Sequence, residues 1–284
     1  MRNNIFELMA QNNTVEADVQ RIIILFEDRS ILENNTYGYS LKYSIKHLFF
    51  QRWPHRGHCI TLDDFLDLVR YKTIKQNALH NIEPENNLLT LIELIYNFWW
   101  FTDEIITMNP DVYTRYKDFT LLKTIMDDLL SQFNHTTHYI EKEKKLLVIE
   151  DKSEVTAVAE IIKDDLVTPV IKYNHRSLKG DLSTKRSILS SMAFELEPKR
   201  QKIKDFNSKL EDNLFYIANN LNIRHNNVND GHGKYKEFVA NMDKETLEEW
   251  YDELYQMMLL AFLSIDDIEN RRQKVNQLKR NIDG

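Results

Sequence analysis

Apolar residues recur at three- and four-residue spacings along most of the chain. This spacing places them on one face of a helix, so it predicts amphipathic helices that pack around a core. The pattern predicts N-terminal helices at about 14–33, 40–52, 61–71 and 84–108, and another from near Pro110 to about Phe133. It predicts C-terminal helices from Ser183 to Pro198, through Phe206 to Leu221, and onward from Asp243. We therefore expect a mainly α protein.

One segment departs from the helical period. Residues 138–149 place β-branched residues on both sides of a charged stretch, with a period near two. Such a pattern is typical of two short strands joined by a turn. We expect a small β-hairpin near 138–149.

The change of pattern divides the chain. We assign 1–168 to an N-terminal helical domain with the hairpin and a sensor or regulatory role. Residues 169–182 contain Pro169 and Gly180 and are interpreted as a connector. Residues 183–284 carry long helices joined by short links, which favours an up-and-down bundle.

Composition narrows the class of protein. Of 284 residues, 42% are hydrophobic, which is enough to build a sizeable core. Only 11 residues are Gly or Pro, and this scarcity favours helices joined by short loops. Cys59 is the one cysteine, so an internal disulfide is excluded. The most apolar run is too short to span a bilayer, and the start lacks the apolar core of a signal peptide. We expect a cytoplasmic protein without membrane contact.

The net charge of −7 argues against a broad basic face for duplex DNA. The net charge does not exclude a local site for nucleic acid. A small basic cluster, Lys199, Arg200, Lys202 and Lys204, lies in the C-terminal part.

A second cluster concerns metal binding. His55, His58 and Cys59 lie within five residues, which raises the hypothesis of a zinc site. A structural zinc site usually takes two separated ligand pairs, and a second pair is missing. We favour an exposed loop before a helix capped by Thr61 and Asp64, and we expect no metal and no other cofactor.

The densest polar chemistry lies between residues 221 and 233. The segment reads Leu-Asn-Ile-Arg-His-Asn-Asn-Val-Asn-Asp-Gly-His-Gly and joins two predicted core helices. Loops between core helices are common places for binding and catalytic groups. Arg224, His225 and His232 are therefore the first candidates for a site.

This segment resembles the HEPN family, named for its occurrence in higher eukaryotes and prokaryotes. The family's motif is an arginine and a polar residue at the end of a long helix, followed by a short loop to histidine. Arg224-His225 with Asn229-Asp230-Gly231-His232-Gly233 is especially similar to C-terminal domains of bacterial abortive-infection proteins. The resemblance covers roughly 183–270. It implies a dimeric, metal-independent ribonuclease used in defence against phage.

The residues suit that chemistry. Histidine titrates near neutral pH and can move the proton of a 2′-hydroxyl, while arginine is a permanent cation that can hold a phosphate. We expect His232 as general base or acid, Arg224 as phosphate clamp, and His225 as a positioning group. The expected substrate-binding residues are Asn229, Gly231, Gly233 and Lys234. RNA and a second copy of the C-terminal bundle are the expected partners.

Two alternatives remain open at this point. Seven residues separate Arg224 from His232, more than the family usually has. Either the loop bulges to present His232, or the site binds RNA without cutting it. A purely structural interpretation has Arg224 and His225 cap a helix end while Gly231 and Gly233 make a turn. The chain would then be a non-catalytic module for interaction or dimerisation.

Overall fold

The computed structural model describes residues 14–34, 37–80, 82–229, 231 and 233–283. The fold is mainly α with two small antiparallel sheets, which confirms the predicted fold class. The chain forms two compact units, Met1–Glu150 and Asp151–Gly284.

Helices make up most of the first unit. Those before the long central helix are α1 (Val15–Glu27), α2 (Leu41–Ser44, continued by a π-helical turn Ile45–Phe49 and a 3-10 turn Phe50–Arg52), α3 (Leu62–Leu68) and α4 (Tyr71–Leu79). The later ones are α5 (Pro84–Met108) and α6 (Lys117–Gln132). Thr61 and Asp64 form the predicted capping box at the start of α3.

The strands of this unit are short. They are β1 (Leu32–Asn34), β2 (Tyr37–Tyr39), β3 (Thr114–Arg115), β4 (His135–Ile140) and β5 (Lys145–Glu150). The first three form a sheet in the order β2-β1-β3, and β4 pairs with β5 in the hairpin that the period-two pattern predicts. In the hairpin, His135 lies opposite Glu150 and Ile140 opposite Lys145.

Helix α5 lies at the centre of the first unit. Its Phe98 is fully buried, stacks on Phe26 at 6.0 Å between ring centroids, and lies 4.5 Å from Trp53. Trp99 packs on Phe119 at 4.9 Å and donates from Nε1 to the Phe119 carbonyl at 2.9 Å. The aromatic run of α5 therefore forms core contacts with α1, α2 and α6.

Asn97, a polar residue within that apolar run, forms hydrogen bonds with strand β5. Asn97 Oδ1 accepts from the Leu146 amide at 2.8 Å, and Asn97 Nδ2 donates to the Leu146 carbonyl at 2.9 Å. Glu93 Oε2 accepts from the Val148 amide at 2.8 Å. These side chains satisfy backbone groups of β5 that its partner strand leaves free, and they fix the hairpin to α5.

The second unit is helical. Its shorter elements are α7 (Ser153–Ala159), α8 (Asp164–Tyr173), a 3-10 turn Arg176–Leu178, α10 (Arg200–Phe206) and α12 (Glu237–Ala240). Its longer elements are α9 (Leu182–Leu196, followed by a 3-10 turn Glu197–Lys199), α11 (Ser208–Asn220), α13 (Lys244–Asp266), a π-helical turn Asp267–Arg271 and α14 (Arg272–Asp283). The last three are one uninterrupted helical run.

The boundary between the units lies after Glu150, whereas the sequence places 151–168 in the N-terminal domain and 169–182 in a connector. The physical reason is a network of side chains that joins α8, α9 and α13. Lys185 of α9, 7% exposed at its side chain, bonds Glu248 at 2.8 Å and Asp252 at 2.6 Å on α13. Tyr173 of α8 donates to the same Asp252 at 2.8 Å and stacks on Tyr255 at 4.0 Å. Helix α8 is thus part of the C-terminal core.

A second ionic network links α1, α2 and α4 in the first unit. Glu27 accepts from Lys42 at 2.8 Å, from Lys75 at 2.6 Å and from the Tyr71 hydroxyl at 3.2 Å. Burial alone would raise the pKa of this carboxyl, but the hydrogen bonds and charges of Lys42 and Lys75 outweigh it and hold the pKa below its ordinary value. Its ionised form therefore stabilises the first unit.

We expect Glu27→Gln to lower the free energy of unfolding at pH 7 by about 1–3 kcal/mol, because bonds to a charged group are lost. A lowered folded-state pKa stabilises above the ordinary value of 4.5, and the contribution disappears as the pH falls through the folded value. The variant should therefore lose less further stability on acidification than the wild type. Urea unfolding at pH 7 and in acid, followed by tryptophan fluorescence, measures both differences.

Asp63→Asn is the matched control. Asp63 bonds Lys46 at 2.5 Å but its side chain is 56% exposed, so its ion pair is screened and contributes little. Equal losses of stability at pH 7 in the two variants would contradict the role given to Glu27.

Candidate functional site

The candidate loop begins where α11 ends. Leu221 and Ile223 remain buried after the helix, and the Arg224 amide donates to the Ala218 carbonyl at 2.9 Å. Asn222 has a φ of 60°, in the left-handed region that asparagine tolerates better than most residues. The chain therefore turns sharply at Asn222 and brings Arg224 back beside the last turn of α11.

One buried amide holds the loop together. Asn227 is 1% exposed; its Oδ1 accepts from the Asn222 amide at 2.9 Å and its Nδ2 donates to the Lys234 carbonyl at 2.8 Å. Its own backbone amide donates to Asn222 Oδ1 at 3.3 Å, and its carbonyl accepts from the Lys236 amide at 2.8 Å. Asn227 thus joins the two ends of the segment that contains the candidate residues.

Arg224 is held by side chains of its own unit. Nη1 donates to Asn219 Oδ1 at 2.9 Å, and Nη2 donates to Glu197 Oε1 in an ion pair. The guanidinium carbon lies 5.8 Å from the centroid of the Phe215 ring, within range of a cation–π contact. The Arg224 side chain is 19% exposed, whereas that of Glu197 is 46% exposed. The cation is therefore oriented and partly neutralised at a solvent-accessible edge.

A second arginine shares the same aromatic ring. The Arg200 guanidinium carbon lies 4.6 Å from the Phe215 centroid, and Arg200 Nε donates to Glu211, whose side chain is 2% exposed. Arg200 belongs to the basic cluster visible in the sequence. The fold places it with Arg224 around Phe215, which linear spacing does not indicate.

The other predicted residues lie along the loop. Asn226 Oδ1 accepts from the Asn229 amide at 3.1 Å, and Asn229 Oδ1 accepts from the Gly231 amide at 3.1 Å. His225 is half-buried beside Arg224 in the chain, and Lys234 is exposed with its carbonyl bound to Asn227.

A side chain would fit at both glycines of the loop. A Cβ at Gly231 would meet Asn229 Oδ1 at 3.6 Å, and one at Gly233 would meet no described atom within 4 Å. Both positions are open, as the approach of a phosphate requires. His232 lies outside the described residues, as does Asp230, so the pairing of Arg224 with His232 stays a prediction.

The histidines of the first unit have other partners. His55 Nε2 lies 2.8 Å from the Lys144 carbonyl oxygen, and His135 Nδ1 lies 2.6 Å from the Phe133 carbonyl oxygen. Burial lowers the pKa of His138. Within the described part of the chain, no three His, Cys, Asp or Glu residues are grouped as metal ligands would be, and no helix is long and apolar enough to cross a membrane.

Sequence reasoning missed Asn227, Glu197 and Asn219. Only the three-dimensional fold brings Glu197 to Arg224, because Glu197 follows α9 while Arg224 follows α11. Pro198 is the local signal nearest to this contact: it lies in the 3-10 turn Glu197–Lys199, where the α-helical bonds of α9 are interrupted.

We expect Asn227→Ala to lower the free energy of unfolding by about 1–3 kcal/mol, because the variant removes the side-chain partners of two partly buried backbone groups. Amide hydrogen exchange over 221–236 should increase in the same variant. Asn226→Ala is the control, since its side chain accepts one bond within an exposed turn. The interpretation of Asn227 fails if both variants exchange at the same rate.

Comparisons with known proteins identify no protein similar to this chain. No family model, no curated protein and no solved structure matches the chain. The interpretation of the loop therefore depends on its own geometry and chemistry.

Proposed function

We propose that the C-terminal unit is a HEPN-like module that binds RNA and cleaves it without a metal ion. The observation that carries the proposal is the orientation of the Arg224 guanidinium by Asn219 and Glu197 at the start of the loop that includes His232. An oriented, permanently charged guanidinium is the group best suited to a phosphodiester, because its planar fork matches two phosphate oxygens.

The reaction needs only protein side chains. His232 takes the proton of the 2′-hydroxyl, the 2′-oxygen attacks the adjacent phosphorus, and the bond to the 5′-oxygen of the next nucleotide breaks. The leaving 5′-oxygen takes a proton from solvent water, and a 2′,3′-cyclic phosphate remains. Arg224 stabilises the charge that grows on the phosphate oxygens, and His225, Asn229 and Lys234 position the strand.

Glu197 determines when Arg224 is available. A guanidinium carries five N–H donors, and the bonds to Asn219 and Glu197 engage one hydrogen on each terminal nitrogen. A phosphate that approaches competes with Glu197 for the same cation. Because the Glu197 carboxylate is 46% exposed, it can move into water without the cost of leaving a buried charge.

The proposal also covers the oligomeric state, the cellular location and the biological role of the unit. The unit acts as a homodimer in the cytoplasm, in an abortive-infection response to phage, and the N-terminal unit senses or regulates. Single-stranded RNA suits an acidic protein with a local basic site better than duplex DNA does.

A second candidate function is a non-catalytic interaction module. The ion pair between Arg224 and Glu197 favours it, since a neutralised arginine can serve to hold α11 against the end of α9. This candidate predicts that RNA is not cut.

We expect the purified protein to cleave RNA in EDTA, and Arg224→Ala or His232→Ala to lower the rate at least about 100-fold. Arg224→Lys should recover only part of the loss, because an ammonium lacks the planar fork. Cleavage of a labelled single-stranded RNA under single-turnover conditions measures all four rates.

Two controls separate this loss from general damage. Arg271→Ala removes another arginine paired with a carboxylate, Asp266, in the same unit, and His80→Ala removes an exposed histidine of the first unit. Both should keep the wild-type rate. The Arg224 variants should remain folded, because a partly exposed ion pair contributes about 1 kcal/mol or less. Cleavage at equal rates in all variants would overturn the assignment of Arg224 and His232, and absence of cleavage by the wild type would leave the non-catalytic candidate.

A further test concerns Glu197. We expect Glu197→Gln to strengthen RNA binding about two- to fivefold, because the competing carboxylate is removed while the side-chain shape is kept. Fluorescence anisotropy with a labelled RNA measures the dissociation constant. The double variant Glu197→Gln with Arg224→Ala should lose this gain. Weaker binding by Glu197→Gln alone would show that Glu197 positions Arg224 and does not compete with RNA.

A further inference from the structure

Helix α14 carries apolar side chains on a surface that its own unit does not cover. Val275, Leu278 and Ile282 are 50%, 58% and 71% exposed, at positions i, i+3 and i+7. The stripe is narrow, like the seam of a coiled coil, and lacks the aromatic residues common in helices that lie on membranes. Lys274 and Lys279 flank it. We call these three apolar residues the α14 stripe.

A groove of about 670 Å³ lies between α11 and α13 of the same unit. Tyr216 and Trp250 at its surface are 70% and 43% exposed, and Ile217 and Met257 also line it. Glu249 and Glu253 lie on its acidic side. We call it the α11–α13 groove.

Charge and spacing make the stripe and the groove complementary. Trp250, Glu253 and Met257 follow the same i, i+3, i+7 pattern as the α14 stripe, so the two helical edges have equal length. Within the part of the chain that the structure describes, neither Glu249 nor Glu253 has an ion-pair partner, and the same holds for Lys274 and Lys279. The four charges are free to pair with one another.

The stripe cannot reach the groove of its own chain. Val275 follows Met257 by eighteen residues in one uninterrupted helical run, which separates them by about 27 Å at 1.5 Å per residue. The groove that receives the stripe must therefore belong to another molecule.

Pairing of two α14 stripes with each other is less favourable. In a coiled coil with Val275 and Leu278 in the seam, Lys274 and Lys279 occupy the flanking positions that face the partner helix. Two identical helices would thus bring lysines against lysines. The groove instead offers apolar side chains to the stripe and glutamates to its flanking lysines.

We propose that α14 docks into the α11–α13 groove of a second copy of this chain, and that reciprocal exchange of the two helices forms a dimer. The contact places Val275, Leu278 and Ile282 against Trp250 and Met257, with the flanking lysines near Glu249 and Glu253. It involves none of the residues assigned to RNA cleavage, so it stands or falls independently of that activity.

Sedimentation velocity of the full chain over a range of concentrations tests the contact. The wild type is expected to dimerise, and Leu278→Asp to raise the dissociation constant at least about tenfold, because it places a charge in the centre of the apolar contact. Gln273→Asp adds the same charge on the opposite face of α14 and should leave the dissociation constant unchanged. Both positions are exposed, so neither variant should unfold.

A charge exchange gives the sharper result. Glu253→Lys and Lys279→Glu should each weaken self-association, since each places like charges together at both contacts of the homodimer. An equimolar mixture of the two variants should recover the wild-type dimer, because both contacts of the mixed pair again join opposite charges.

Three outcomes would overturn the proposal. One is a wild-type chain that stays monomeric at all concentrations, and another is a mixture that associates no better than its components. The third is binding of a monomeric wild type to vesicles of phosphatidylcholine and phosphatidylserine that Leu278→Asp abolishes, which would assign the stripe to a membrane surface.

Discussion

The carboxamide of Asn227 is the interaction on which the candidate site depends. Most described residues between the end of α11 and Lys236 are exposed or half-buried, but Asn227 is buried, and a buried polar side chain needs hydrogen-bond partners. The Asn227 side chain has such partners, since it accepts from Asn222 and donates to Lys234. Every candidate residue from Arg224 to Gly233 lies between these anchored ends. The two ends of this segment are thus held together by a residue that performs no chemistry in either proposed function.

The arginines around Phe215 show how one arrangement serves two purposes. The Arg200–Glu211 pair joins a buried carboxylate to α10, so its removal would leave an uncompensated charge in the core. The Arg224–Glu197 pair has similar chemistry but an exposed carboxylate. A pair whose carboxylate is buried is structural, whereas one whose carboxylate is exposed can be exchanged for another anion. This difference in burial, and not the identity of the residues, is what makes Arg224 the better candidate for a substrate contact.

Much of the fold was predictable because local signals agreed with tertiary packing. Pro84 begins α5 and Asp243 caps α13, as expected, and the hairpin pairs His135 through Glu150 around the predicted turn. The helix expected from Pro110 begins only at Lys117, because Thr114 and Arg115 pair with β1 instead. The helix expected through Phe206 is divided at Asn207, whose side chain caps a new helix.

The candidate site was predictable only in part. The sequence indicated Arg224 and its loop only because many polar and charged residues are concentrated there. It could not indicate Glu197, because a contact between residues 27 positions apart depends on how α9 and α11 pack. The burial of Asn227 could not be predicted for the same reason. Nothing in the local sequence distinguishes this asparagine from the other asparagines of the loop.

The π-helical turn between α13 and α14 has a consequence for the symmetry of assembly. Docking of α14 into the groove joins two different surfaces of the same polypeptide, so the contact itself does not impose a twofold axis. The direction in which α14 leaves the bundle decides whether a second molecule can return the contact or whether a third must be recruited. One residue added or removed between Asp267 and Arg271 turns α14 by about 100°. In the proposed dimer, that turn therefore sets the direction of α14 that allows the second molecule to return the contact.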